Sequence, residues 1–275
     1  MKVLFQNSHA KAQRREEIQI SKLQFLFASL RLCVIFFLLS FSVAAAKAQT
    51  NTLSDAEIKG RELAQQLCEA KPETNFVQTG VLNIRDSNGK KTSIPVSFKT
   101  QISDASWKAG YFAGTNIWII IHQVGQENRY IFTEQNSDVN AWNSTSFLHL
   151  TGDQTSTAFA NSDFWLCDLG LEFLHWPAQK VLPKTTNLKR GRAYTLLEST
   201  NPNPSTNSYL RVRSWIDKET GGILQAEAYD VQGRLLKVFE PKSFKKVNGQ
   251  WELQEMEIRN VQTGSSTRLE FELKK

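Results

Sequence analysis

Leu210, Val212 and Ile216 alternate with Arg211, Arg213 and Asp217, so this segment puts apolar side chains on one face and polar ones on the other. Such period-two alternation marks a strand that is wet on one face only. Lys218-Glu219-Thr220-Gly221-Gly222 then turns the chain. Residues 223–229 place Leu224, Ala226 and Ala228 on one side, and Asp230-Val231-Gln232-Gly233 turns it again. Arg268-Leu269-Glu270-Phe271-Glu272-Leu273 closes the chain in unbroken alternation. The pattern predicts an antiparallel meander whose apolar face must be covered. Trp251 and Leu253 share one phase while Met256 and Ile258 fall in the other. One inserted residue near Gln254-Glu255 accounts for the slip, and bulges of this kind bend a sheet.

Upstream, 77–85 and 92–102 read as a hairpin around Asp86-Ser87-Asn88-Gly89, because Asn-Gly is a strong hairpin signal. Pro95 within the second run predicts an edge position or a bulge. Strands continue over 107–113, 116–123 and 129–133. Ile117-Trp118-Ile119-Ile120-Ile121 is apolar in both phases, which predicts a central strand covered on two faces. Two helical pieces interrupt the β pattern. Ser54 with Glu57 forms a capping box ahead of the stripe Ala56, Gly60, Leu63, Leu67 and Ala70, which Lys71-Pro72 ends. Ser162-Asp163 is expected to cap a short apolar segment over 164–174, broken at Gly170. Residues 138–157 lose periodicity and predict a long loop or flap. Strand resumes over 188–198, and Asn201-Pro202-Asn203-Pro204 is a turn-rich connector. The sum is a single mainly β domain with two or three helical pieces.

Composition alters this picture mostly at the front. Of 275 residues and a formal charge of +6, the first 48 residues hold seven Lys/Arg against two Glu, so five net positive charges lie there. Basic residues precede the uncharged run 32–46, and Ala46-Lys47-Ala48 follows as an A-x-A cleavage pattern. This predicts a secretory signal peptide over 1–48 with a long basic n-region, the alternative being an uncleaved inner-membrane anchor. Leu32 before Cys33 breaks the lipobox pattern, so a soluble exported product is expected. The rest of the chain interleaves both charges with no basic block, and nucleic-acid binding is therefore not expected. Cys68 and Cys167 remain; in an oxidising compartment they are either a disulfide or two separately buried thiols.

Few residues of the chain stand in a pattern that chemistry requires. There is no G-x-S-x-G, H-E-x-x-H, C-x-x-C, phosphate loop or dinucleotide fingerprint. No catalytic residue, metal or cofactor is expected, and the chain is read as a non-enzyme. Glu172-x-x-His175 lacks the companion motif of a helical metal site, His149 reads as packed or exposed, and His122, at the end of a buried strand, is expected to satisfy backbone groups. Asp168, within an apolar segment, is expected to cap backbone N–H groups at the Gly170 break. The aromatic residues carry more. Seven Trp and seventeen Phe occur, several of them in Phe164-Trp165, Phe173 and His175-Trp176. With the apolar strand faces they form either an ordinary core or the lining of a cavity for an acyl ligand. Trp118, Ile120, Phe164, Trp165, Phe173, Trp176, Trp215 and Leu224 are the candidate lining and lid residues.

Ser162-Asp163-Phe164-Trp165-Leu166-Cys167-Asp168-Leu169-Gly170-Leu171-Glu172-Phe173-Leu174-His175-Trp176-Pro177 resembles the middle segment of outer-membrane lipoprotein-sorting proteins of the LolA-like superfamily. Arg211 to Gly221, with Trp215-Ile216-Asp217-Lys218-Glu219-Thr220-Gly221, resembles that family's strand and turn; Ala226 to Asp230, Gly233-Arg234, Met256 to Ile258 and Thr263-Gly264-Ser265 continue the match. The resemblance implies a LolA-like half-barrel over 49–275: one strongly curved antiparallel sheet forming an incomplete barrel, with an N-terminal helix and short helices plugging the concave side. It further implies a monomeric periplasmic carrier for acyl chains of lipoproteins or other lipids. Such a carrier works between an inner-membrane transporter and an outer-membrane receptor. Arg85 is the candidate polar residue of the cavity. The alternative is an envelope sensor or assembly module that binds a protein partner without lipid.

Overall fold

The computed structural model describes residues 53–134, 148–184, 186, 188–247 and 250–273. Helix α1 (Asp55–Cys68) leads into β1 (Phe76–Arg85), β2 (Lys91–Ile102), β3 (Ser106–Ala113), β4 (Asn116–Gln123), β5 (Arg129–Glu134) and β6 (Leu148–Leu150). A connection containing the single-turn helix α2 (Leu166–Leu169) follows. Then come β7 (Ala178–Leu182), β8 (Tyr194–Thr200), β9 (Arg211–Asp217), β10 (Ile223–Tyr229), β11 (Leu235–Val247), β12 (Gln250–Asn260) and β13 (Ser266–Phe271). All thirteen strands belong to one antiparallel sheet in the order β6-β5-β4-β3-β2-β1-β13-β12-β11-β10-β9-β8-β7. The sheet is curved and does not close into a barrel.

This order has a direct consequence. Each strand pairs with its sequence neighbour except at the seam, where β1 meets β13, with Leu82 opposite Leu269. The two open edges, β6 and β7, are therefore consecutive in the chain. Residues 151–177, which join them, have to cross from one edge of the sheet to the other, and they do so over its apolar concave face. There Phe159, Phe164, Leu166 and Leu169 pack among Leu82, Phe98, Tyr111, Trp118, Met256 and Leu269.

Local signals explain most element ends. Ser54 and Glu57 make the capping box at the start of α1, and Gly89, at φ +82°, turns the β1–β2 hairpin. The phase slip before Met256 is a true irregularity. Pro241 faces Met256, Ser243 faces Glu255 and Phe244 faces Leu253, so Lys242 and Gln254 are extra residues on the two strands. The slip brings Leu253 onto the concave face with Met256 and Ile258 and leaves Trp251 exposed.

Several expectations change. Pro95 lies in an interior strand, yet β3 pairs with β2 only from Val96 onward, so Pro95 is paired with β1 alone. The strand over 116–123 is buried on both faces as expected, but it sits third from the open edge instead of centrally. Within the predicted loop 138–157, Leu148–Leu150 pairs with β5 and Gly152–Ser156 forms a 3-10 turn; 138–147 lies outside the described residues. The predicted helix over 164–174 shrinks to one α turn and a 3-10 turn, Glu172–Leu174, because Leu171 adopts φ +51° between them. Gly170 is needed at the break for a close approach, since a Cβ there would collide with the Tyr130 hydroxyl. Leu224 does not share a face with Ala226 and Ala228, because a register shift between Ile223 and Gln225 inverts it.

Candidate functional site

The plug formed by 151–177 is apolar towards the sheet, but it is held there by polar contacts. Asp163 accepts hydrogen bonds from the Thr267 and Ser265 hydroxyls at 2.8 and 2.5 Å, and its own N–H donates to Thr267 Oγ1 at 2.9 Å. Lys237, on β11, donates from Nζ to the Asp163 carbonyl at 2.8 Å and lies 3.4 Å from Asp168 Oδ2. Its ammonium also sits 3.5 Å from the Trp165 ring centre. Tyr209 stacks on Trp165 at 4.8 Å and donates its hydroxyl to Asp168 Oδ1 at 2.8 Å. Burial draws the Lys237 ammonium below its ordinary range, opposed by the nearby Asp168 carboxylate. Asp168 does act as a cap, but at the helix start: its Oδ2 accepts the Trp165 N–H at 2.8 Å. Ser162 accepts only the Phe164 N–H, at 3.2 Å.

Further ties fasten the plug's far end. Tyr111 on β3 donates to the Leu169 carbonyl at 3.3 Å, and Asn128 Nδ2 donates to the Gly170 carbonyl at 2.8 Å. Gln179 on β7 reaches the carbonyls of Phe173 and Trp176 at 2.9 and 2.8 Å.

Two narrow apolar clefts flank the plug. One, of about 50 Å³, lies between Phe98, Tyr111, Leu169, Met256, Leu269 and Phe271. The other, about 30 Å³, is bounded by Phe164, Phe173, Val212, Ala228, Lys237 and Phe239. Each is of the order of one or two water volumes, far below an acyl chain. An occupant of that size would have to take the place of plug side chains.

The predicted lining residues separate into groups. Trp118, Ile120 and Phe164 belong to the concave cluster around β1–β4 and β12–β13. Phe173, Trp165 and Trp176 belong to the adjoining cluster under β8–β10, with α1 and Cys167. Trp215 and Leu224 lie apart from both, packed with Tyr194, Leu196 and Leu182 on the opposite face of the sheet. Trp215 shares its phase with Arg211 and Arg213, so strand alternation by itself places it there. Arg85 stands exposed at the end of β1, opposite Lys91 and Ser266. Cys68 and Cys167 are both free thiols. They face different cavities across the plug, Cys68 beside Leu67 and Trp107 and Cys167 beside Tyr209 and Glu172. Burial pushes Cys68 up to about 12 and Cys167 well above the usual thiol range, so neither is poised as a thiolate.

Sequence reasoning missed Lys237, Tyr209 and Tyr130. A signal for Lys237 existed: it shares its phase with Phe239 and faces Ala228, which put a lysine on the apolar side of β11. Tyr209 and Tyr130 had no local signal. Their roles arise from contacts 41 residues away for Tyr209–Asp168 and from the cavity that Tyr130 shares with Glu172.

A family model described as "uncharacterized protein" matches residues 121–274, and the chain belongs to that family. No curated protein matches the chain. Among solved structures, a DUF1329 family protein from Desulfovibrio piger is similar at 17% identity and a TM-score of 0.62, over 79% of this chain and 92% of that one. A protein described as an outer membrane lipoprotein-sorting protein domain from Vibrio parahaemolyticus is similar at 20% identity and a TM-score of 0.62, with the same coverage, 79% and 92%. A LolA superfamily protein from Nitrosomonas europaea is similar at 14% identity and a TM-score of 0.51, over 80% and 93%. The fold of this chain is LolA-like, as the segment around the plug implied.

Proposed function

We propose that the protein is a periplasmic carrier that shields acyl chains of lipoproteins or other lipids on the concave face of its half-barrel and moves them towards the outer membrane. On this reading residues 1–48 are the export signal. The donor is an inner-membrane transporter and the acceptor an outer-membrane receptor. The observation that carries the reading is the plug. An apolar segment lies across an apolar sheet face, fastened by a handful of polar contacts, with narrow apolar clefts on both sides.

Displacing Phe164, Leu166, Leu169 and Phe173 with a hydrocarbon chain exchanges one apolar occupant for another. Burial of each CH₂ of the cargo contributes about 0.8 kcal/mol. That gain is offset by exposure of the plug, so loading stays close to neutral and transfer is reversible. No bond chemistry is involved. Trp118 and Ile120 supply the fixed wall, and Phe164, Trp165, Phe173 and Trp176 supply the moving part. Among the described residues no helix is long and apolar enough to cross a membrane.

The test is uptake of a fluorescent long-chain fatty acyl probe by the purified protein. Saturable binding that unlabelled acyl chains displace is the expected result. Absence of uptake for every acyl probe would overturn the carrier reading and favour a module that binds a protein partner.

A further inference from the structure

Beneath the open end of the plug lies a third cavity, of about 280 Å³, different in character from the two apolar clefts. Glu127, Asp153 and Glu172 line it, and no lysine or arginine is among its described lining residues. Three of its polar atoms, Glu172 Oε2, Tyr130 OH and Asn128 Oδ1, are buried and none meets hydrogen-bond geometry with another protein group, although Tyr130 lies near enough to Glu172 and Asn128 to interact weakly with both. Tyr130 is only 4% exposed. A buried polar atom left unpaired costs about 1–3 kcal/mol, more when it is charged. Three around one void therefore point to an occupant that satisfies them.

We propose that this cavity is a binding site for a primary ammonium group, held by the Glu172 carboxylate, the Tyr130 hydroxyl and the Asn128 side-chain carbonyl.

The chemistry of the lining selects the ligand. Three carboxylates reject an anion, since the one basic lining side chain, His175, is drawn below its ordinary range by burial and so disfavours its charged form. A carboxylate buried beside unpaired acceptors is completed by a positive charge. An –NH₃⁺ group offers three N–H donors and no acceptor, matching three atoms that can all accept. A metal ion fits less well, since no group of three or more His, Cys, Asp or Glu side chains converges to hold one among the described residues. Burial raises the Glu172 carboxyl above its ordinary range and outweighs the opposing pull of Thr155 and Tyr130, so a cation beside it would be stabilised. Cys167 and Glu172 border this cavity, while the neighbouring Leu171 and Phe173 border one apolar cleft. An amphiphile could therefore place its ammonium here and its chain beneath the plug; that extension rests on the carrier reading, whereas the ammonium site does not.

Calorimetric titration of the purified protein with dodecylammonium, dodecyltrimethylammonium, dodecanoate and ethanolammonium tests the assignment. Dodecylammonium is expected to bind at least tenfold more tightly than dodecyltrimethylammonium, which has the same charge and chain but no N–H donor. Glu172→Gln should abolish that preference and Tyr130→Phe reduce it several-fold, with thermal melts confirming that both variants fold. Equal affinity for all three amphiphiles would overturn the site and leave the carrier reading standing. Glu172-dependent binding of ethanolammonium without binding of any amphiphile would support a site for free amines and remove the carrier reading. If nothing binds, both fall.

Discussion

Lys237 is the residue on which the plug's attachment turns. It is 2% exposed, yet its ammonium meets the Asp163 carbonyl, the Asp168 carboxylate and the Trp165 ring at one point of an otherwise apolar face. Removing one partner of a buried ion pair leaves the other uncompensated. Lys237→Met is therefore expected to lower stability by about 3 kcal/mol in urea denaturation. Lys237→Met combined with Asp168→Asn should cost less than the two single changes together, because the residues share one network.

His122 contributes one part of the acid response. It stacks on Trp107 with ring centres 3.8 Å apart, its Nε2 is buried without a partner, and burial lowers its pKa to about 3 from 6.5. The folded protein thus keeps His122 neutral where the unfolded chain takes up a proton. Between pH 6.5 and about 3 the unfolded state binds more protons at this residue, so its contribution to stability is complete above pH 6.5 and falls as the pH drops. The loss expected from this residue is about 3–5 kcal/mol by pH 3. His122→Phe should flatten that part of the stability–pH curve, as followed by urea midpoints at fixed pH values.

Among the elements, α1 guards the edge that the open sheet leaves at β7. Gly60 makes this possible, because a Cβ there would lie 2.6 Å from Lys180 N and 2.7 Å from the Gln179 carbonyl carbon. Within an isolated helix Gly→Ala gains about 1 kcal/mol; here the clash is with backbone, which cannot give way without moving β7. Gly60→Ala is expected to be destabilising by about 1–3 kcal/mol net, whereas the same change at a helix position facing solvent would stabilise. A thermal melt of the Gly60 variant that rises above the parent would disprove the tight α1–β7 contact. The plug shows the opposite economy. Its single α turn, its 3-10 turns and the positive φ at Leu171 give it little helical stability of its own, so its order depends on the sheet beneath.

For the whole molecule, this division predicts where motion occurs. The β1–β4 ladders run without a register shift and β9–β13 stay paired across their bulges, while residues 151–177 are joined to the sheet by scattered side-chain bonds. Hydrogen exchange should therefore find amides of 159–176 opening well before those of β1–β4. If the carrier reading holds, saturation with an acyl ligand should speed exchange in the plug and leave the sheet unchanged. Uniform protection in both states would count against a displaceable plug.

Most strands of the meander and of 76–134, the β1–β2 hairpin, the capping box of α1 and the slip at Gln254 were legible in the chain because each depends on local periodicity, turn chemistry or capping among residues a few positions apart; the short edge strands β6 and β7 were not, because so few residues carry no period of their own. The same locality explains the failures. Leu224 was misplaced because a register shift is a property of a strand pair. Cys68 and Cys167, whose pairing the sequence left open, proved to be free thiols facing different cavities. Trp215 has the phase of Arg211 and Arg213, and that local alternation, not its aromatic ring, decides its face.

By itself, then, the sequence determined that an antiparallel meander would form with one apolar face needing cover, and that 164–176 was apolar enough to cover it. The pairing of β1 with β13, which makes β6 and β7 the open edges and sends the connection between them across the concave face, arises from long-range packing alone. The same packing decided that Lys237, Asp168, Tyr209 and Trp165 meet, and that Tyr130, Asn128 and Glu172 surround one void. These are pairings between distant parts of the chain, set by strand order and burial, and no pattern within a short window of sequence encodes them.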